Sequence, residues 1–148
     1  MATAIRNQKA TFDYEILEKW EAGLVLLGLE VKSLKSGRGA SLAGSYISFE
    51  NGEAYLVGAT IAPYQPGNTP EDYKPERRRK LLLNEKELKE LASKTNERGL
   101  TIIPLSLYSK RNQLKLEIGL ARGKKTHDKR ESIKKREAKR QIERSLKS

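Results

Sequence analysis

The sequence contains no cysteine and only one histidine, one tryptophan and one methionine in 148 residues. Without cysteine there is no disulfide, no thiolate metal site and no thiol nucleophile, so the fold must rest on burial and hydrogen bonding, as suits a reducing compartment. The single imidazole, His127, lies in a highly charged stretch with neither an orienting carboxylate fixed beside it nor an oxyanion donor, which argues against a hydrolytic triad. One histidine also cannot anchor a metal centre, because the carboxylates are scattered among Lys and Arg. No catalytic residue and no cofactor is therefore expected. No apolar run approaches the ~20 residues that cross a bilayer, and residues 1–9 lack the apolar stretch of a secretion signal. The expected location is the cytoplasm.

What the chain does have is positive charge. Lys and Arg number 30 against 19 Asp and Glu, a formal charge of +11. Residues 122–148 hold 12 basic and 4 acidic side chains, +8 of that total, and leave a nearly balanced body. The hydrophobic fraction of 36% suits one modest core with something left outside it. A cationic segment of this density points to a polyanion as partner, nucleic acid or an anionic membrane, because either releases counterions when Lys and Arg replace them.

Alternation of Phe12, Tyr14 and Ile16 with polar neighbours predicts a strand over 10–18, and the apolar run Leu24–Leu27 a second, joined to it by a turn at Glu21-Ala22-Gly23. A short helix follows from Leu29 to Ser36, ended by the turn Gly37-Arg38-Gly39, which lacks the spacing of a phosphate-binding loop. Asn51-Gly52 between residues 45–50 and 53–58 is a type I′ hairpin signal, since both central residues tolerate positive φ. Four prolines in residues 62–76 make a long loop that runs into Arg77-Arg78-Arg79-Lys80. Asn84, three residues before Glu87, reads as the cap of a helix ending near Gly99. A last hairpin covers 100–109 and 113–121, with Pro104 marking an edge or a bulge.

Six short strands in hairpins favour a small antiparallel barrel of the oligonucleotide-binding type, mainly β with about two helices, over residues 1–121. Residues 122–148 form the tail. Its few apolar residues bury too little to order it alone, yet Ala138, Ile142 and Leu146 fall on one helical face that a polyanion would stabilise. The run Arg77–Lys80 reads either as a solvated loop end or as a phosphate clamp. Tyr14, Tyr46, Tyr55 and Trp20 suit packing or base stacking, and their place on strands favours packing. Glu21 by itself is an exposed turn carboxylate. His127, flanked by cations, fits either a solvated linker or an arm that stacks on an unpaired base.

Asn7-Gln8-Lys9-Ala10, Glu21-Ala22-Gly23, Gly28-Leu29-Glu30-Val31-Lys32-Ser33, Ser45-Tyr46, Arg79 to Asn84, Leu105-Ser106-Leu107-Tyr108, and Gly123-Lys124-Lys125 with His127-Asp128-Lys129-Arg130 together resemble the small protein B family of bacterial SsrA-binding proteins. Seven segments agree in order across nearly the whole chain. The resemblance implies a ribosome-rescue factor that binds transfer-messenger RNA (tmRNA) through its tRNA-like domain. It implies delivery to stalled ribosomes with elongation factor Tu on the aminoacylated end. The tail would enter the empty message channel at the decoding centre of 16S ribosomal RNA.

Carried over residue by residue, the family's tmRNA-binding positions are Asn7, Glu21, Leu82 and Asn84, to which Lys32, Arg79 and Lys80 are added as phosphate contacts. The ribosome-binding tail is expected to use Lys124, Lys125, His127, Asp128, Lys129 and Arg130, then Ile133, Lys134, Lys135, Arg136, Ile142 and Leu146 in an induced helix. Ala138 stands where some members carry a large aromatic. The expected protein acts as a monomer. The alternatives are a structural ribosomal protein whose tail threads ribosomal RNA, and a membrane-surface amphipathic tail, whose apolar face is too thin to favour.

Overall fold

The computed structural model describes residues 3–37 and 39–124. Its elements are β1 (Thr3–Arg6), α1 (Gln8–Asp13), β2 (Tyr14–Leu24), α2 (Gly28–Ser36), β3 (Ala40–Ser41), β4 (Tyr46–Glu50), β5 (Glu53–Val57), β6 (Thr60–Ile61), β7 (Arg79–Leu82), α3 (Glu85–Thr95), β8 (Leu100–Lys110) and β9 (Gln113–Gly123). Seven strands pair antiparallel in the order β1-β8-β9-β2-β7-β5-β4, and β3 pairs with β6 in a two-stranded sheet. Ile5 of β1 and Ile47 of β4, from opposite ends of the large sheet, pack into the same core as Ala22, Leu56, Leu81, Leu107, Leu116 and Ile118. The sheet therefore curls round its inner face as an antiparallel, barrel-like wall. Leu34 of α2 and Leu91 of α3 fill the same core, and each fully buried Leu or Ile contributes roughly 1.5–3 kcal/mol.

The mainly β antiparallel architecture agrees with the sequence reading, but the strand inventory is larger: nine strands and three α-helices among the described residues, against six and about two. Residues 8–13 are helical. The alternation through Phe12, Tyr14 and Ile16 straddled two elements, with Phe12 in α1 and the other two in β2. The supposed turn at Glu21-Ala22-Gly23 lies inside the single long strand β2. Gly23 there serves close approach, since an added Cβ would sit 3.2 Å from Leu82 Cβ on the neighbouring strand. Residues 25–27 are not a buried strand either, and Val25 and Leu27 are exposed.

Local chemistry explains the elements that agree. Asn51 and Gly52 have φ of 52° and 78°, the left-handed pair that the β4–β5 hairpin requires. Asn84 accepts from Glu87 N–H at 2.8 Å while Glu87 accepts from Asn84 N–H at 3.2 Å, a reciprocal cap that starts α3. Pro104 occupies a bulge, where the β8–β9 register shifts between Pro104 and Ser106. The sheet runs two residues past the expected boundary at 121, and Lys124 N–H still donates to Asp13 C=O at 2.9 Å. Residues 125–148, with the expected disorder, induced helix and site residues Lys125 to Leu146, lie outside the described residues.

Candidate nucleic-acid interface

Strand register sorts the candidate residues into two faces. Along β7, Arg79 pairs with Leu56 and Leu81 with Leu24, so both point inward, while Lys80 pairs with Tyr55 and Leu82 with Gly23 on the outer face. The four-cation run is thereby split. Arg79 is 0% exposed and donates from Nε to Glu30 at 3.0 Å and from Nη1 to Ala59 C=O at 2.9 Å. Arg77 donates to the same carboxylate from Nε at 3.1 Å, and Tyr73 Oη adds a bond to it at 3.1 Å.

Glu30, also 0% exposed, thus ties α2 to β7 and the proline-rich loop. Burial acts to raise its carboxyl, but hydrogen bonds from Arg77, Leu27 N–H and Arg79 outweigh that and hold it below the usual carboxylate range. The expected phosphate contact at Arg79 is corrected accordingly: its charge is consumed inside the fold, because an unpaired guanidinium could not be buried there. No local signal marks its partner, since Glu30 lies forty-nine positions away.

Arg78 and Lys80 remain at the surface. Arg78 pairs with Glu50 at 2.7 Å and lies 4.3 Å from the centre of the Tyr55 ring, and Lys80 pairs with Glu53 at 3.5 Å. Trp20, another stacking candidate, packs against the main core with Lys94 above its ring.

Glu21, Glu117 and Ser106 stand opposite one another across β2, β9 and β8, and Arg6 of β1 extends the row. This is the outer face. Tyr108 Oη donates a short hydrogen bond to Glu21, and Lys110 Nζ approaches both carboxylate oxygens at 3.4 Å. The Tyr108 bond is the largest influence holding the Glu21 carboxyl below its usual range, with Lys110 and Lys115 adding to it. In return burial, then Glu21, pushes the Tyr108 phenol up. Glu21 is therefore an oriented, ionised acceptor with Lys110 and Lys115 nearby and Glu117 on the strand opposite, a setting that its local sequence did not reveal.

Asn84 follows the last residue of β7 by two positions, and Leu82 pairs with Gly23, two residues from Glu21 along β2. Leu82 is 54% exposed, an apolar side chain with no core role. Glu21 and Leu82 thus lie on the same outer face, and Asn84, just past the end of β7, caps α3. The structure does not bring Asn7 to Glu21 and Leu82. Its buried Nδ2 donates to Pro104 C=O at 2.9 Å, bracing the β8 bulge. Lys32 lies on the exposed side of α2, opposite the buried Glu30, Ser33 and Leu34. Tyr108, Lys110 and Lys115 were missed as site residues, although the alternation of residues 113–120 already put Lys115 and Glu117 on the face away from the leucines.

Comparison with known proteins gives a consistent result. The family model described as SmpB protein matches residues 4–148. An SsrA-binding protein of Carboxydothermus hydrogenoformans is 50% identical over 142 residues, covering 96% of this chain and 94% of that protein. One from Chlorobaculum tepidum is 53% identical over 142 residues, 95% of this chain and 89% of that protein. A solved chain described as "tmRNA-SmpB: a journey to the center of the bacterial ribosome" is 44% identical with a TM-score of 0.69, covering 87% of this chain and 93% of that one.

Proposed function

The chain belongs to the SmpB protein family, and from that premise we propose that it binds tmRNA and brings it to stalled ribosomes in trans-translation. The observation that carries the assignment to this molecule is the outer-face group of Glu21, Tyr108 and Lys110, with exposed Leu82 on the neighbouring strand. A carboxylate next to phosphate repels it, so Glu21 is useful against RNA only by accepting from base amino groups or 2′-hydroxyls. Tyr108 fixes its direction. Leu82 supplies an apolar contact, and Lys80, Lys110 and Lys115 supply positive potential for the backbone. This combination suits a folded RNA recognised by shape and by a few edges.

The tail from Lys124 onward has the second task. Its +8 charge over residues 122–148 suits ribosomal RNA. Lys124, Lys125, His127, Asp128, Lys129 and Arg130 would enter the decoding centre, and Ile133 to Leu146 would follow as a helix in the message channel. Delivery with elongation factor Tu on aminoacylated tmRNA, action as a single copy and a cytoplasmic setting belong to the same proposal. Among the described residues no helix is long and apolar enough to cross a membrane. Recovering the protein from its native cells and sequencing the RNA bound to it tests the proposal. Strong enrichment of tmRNA over ribosomal RNA is expected. Stoichiometric retention on washed translating ribosomes without tmRNA would instead favour a structural ribosomal protein.

A further inference from the structure

Gly23 sits inside β2, half-buried, with a φ outside the left-handed region, so its backbone conformation is open to any residue. A glycine there weakens the strand, because it loses the most backbone freedom on folding and packs no side chain. The return lies on the outer face. The three atoms nearest to an added Cβ all belong to Leu82, at 3.2, 3.4 and 3.7 Å. Ordinary carbon contacts lie at about 3.5–4.0 Å, so even one methyl group at residue 23 would push Leu82 away. Without it, Leu82 lays its side chain against the bare Gly23 position while staying 54% exposed.

Gly119 shows the contrast. A Cβ there would meet Leu105 Cδ1 at 2.9 Å and Ile16 Cγ2 at 3.1 Å, within a small second core of Ala10, Ile103, Leu105 and Ala121 against which Ile16 packs. Leu105 is buried and has nowhere to go, so that glycine serves packing. Leu82 has solvent to move into. Crowding at residue 23 therefore costs the fold little and changes only where an exposed apolar side chain stands.

Its place matters because of Glu21. Glu21 comes two residues before Gly23 on the same face of β2, which makes it the diagonal neighbour of Leu82, roughly 7–8 Å away in an antiparallel pair. An RNA edge that donates to the carboxylate meets the leucine too only if the leucine stays down beside it.

We propose that Gly23 is a positioning residue of the RNA face: its missing side chain keeps Leu82 low across β2, so that one nucleotide of the folded RNA reaches the Glu21 acceptor and the leucine together. The assignment rests on the proposed tmRNA contact at Glu21 and Leu82, and adds to it the residue that sets their spacing.

The test is a double-mutant cycle on the full chain, read as affinity for the tRNA-like fragment of tmRNA. Leu82→Ala should weaken binding about tenfold, the scale of one apolar side chain losing its cover. Gly23→Val should weaken it about as much and Gly23→Ala about threefold, as Leu82 is lifted by more or by less. With Leu82→Ala already in place, either change at residue 23 should alter affinity by less than about twofold, because the side chain it acts through is gone. Gly23→Ala should melt with the unaltered chain, whereas Gly119→Ala should melt below it; Gly23→Ala carries the cycle if valine unfolds the strand. Failure of the unaltered chain to bind the fragment would overturn the proposed function and this inference with it. Where the unaltered chain binds, affinity untouched by Leu82→Ala or by the changes at residue 23 would overturn the positioning role alone. So would a loss from residue 23 that persists in full without Leu82, since residue 23 would then block the RNA itself.

Discussion

Replacing Glu30 by Gln separates the structural role of the arginine run from an RNA-binding one. The side chain keeps its shape and one acceptor oxygen but loses its charge, so fully buried Arg79 and partly exposed Arg77 both lose the counter-charge they share. Removing one partner of a buried ion pair costs about 3–5 kcal/mol, and because Gln keeps one acceptor but turns an NH2 toward guanidinium donors, Glu30→Gln is expected to cost at least about 3 kcal/mol. For a body of this size one kcal/mol moves Tm by roughly 3–6 °C, so a drop of about 10–15 °C is expected. Urea and thermal unfolding read it directly. Arg78→Ala, at the surface, should change stability by no more than about 0.5 kcal/mol. Should Glu30→Gln cost less than about 1 kcal/mol, or should Arg78→Ala destabilise as much as Arg79→Ala, the division of the run into inner and outer cations would be wrong.

Three further outcomes follow from the same geometry. Because the Glu30 carboxyl is lower in the folded than in the unfolded chain, its stabilisation is complete above the unfolded pKa and is lost as pH falls through the folded one. Unfolding measured in acid should therefore show stability declining below about pH 4.5, less steeply in Glu30→Gln. Tyr108→Phe should let the Glu21 carboxyl rise toward its ordinary range, seen by NMR titration of that carboxyl, and weaken binding of the tRNA-like fragment about fivefold, the scale of one hydrogen bond. Asn84→Ala should lose about 1 kcal/mol with the α3 cap, whereas Asn84→Ser should keep the cap and still bind the fragment less well, which separates the two duties of that side chain.

The sequence was most legible where local chemistry decides structure. The Asn51-Gly52 hairpin, the Asn84 cap and the alternation of the last strand each state their conformation within a few residues, and each is where it was expected. It was least legible where tertiary contacts decide. Gly23 looks like a turn because glycine usually signals one, but here it admits Leu82 across a strand pair. The four cations at 77–80 look alike in a row, and only strand alternation plus a distant Glu30 separates buried from exposed. Glu21 gained meaning in the same way, because Tyr108 and Lys110 reach it from nearly ninety residues away in sequence.

The central claim is a division of labour between an RNA-gripping sheet face and a basic tail. It is tested most directly by a chain ended at Lys124, assayed side by side for affinity to the tRNA-like fragment and for peptide tagging on ribosomes stalled at a message end. Unchanged affinity with tagging abolished is the predicted result; loss of both together would contradict it.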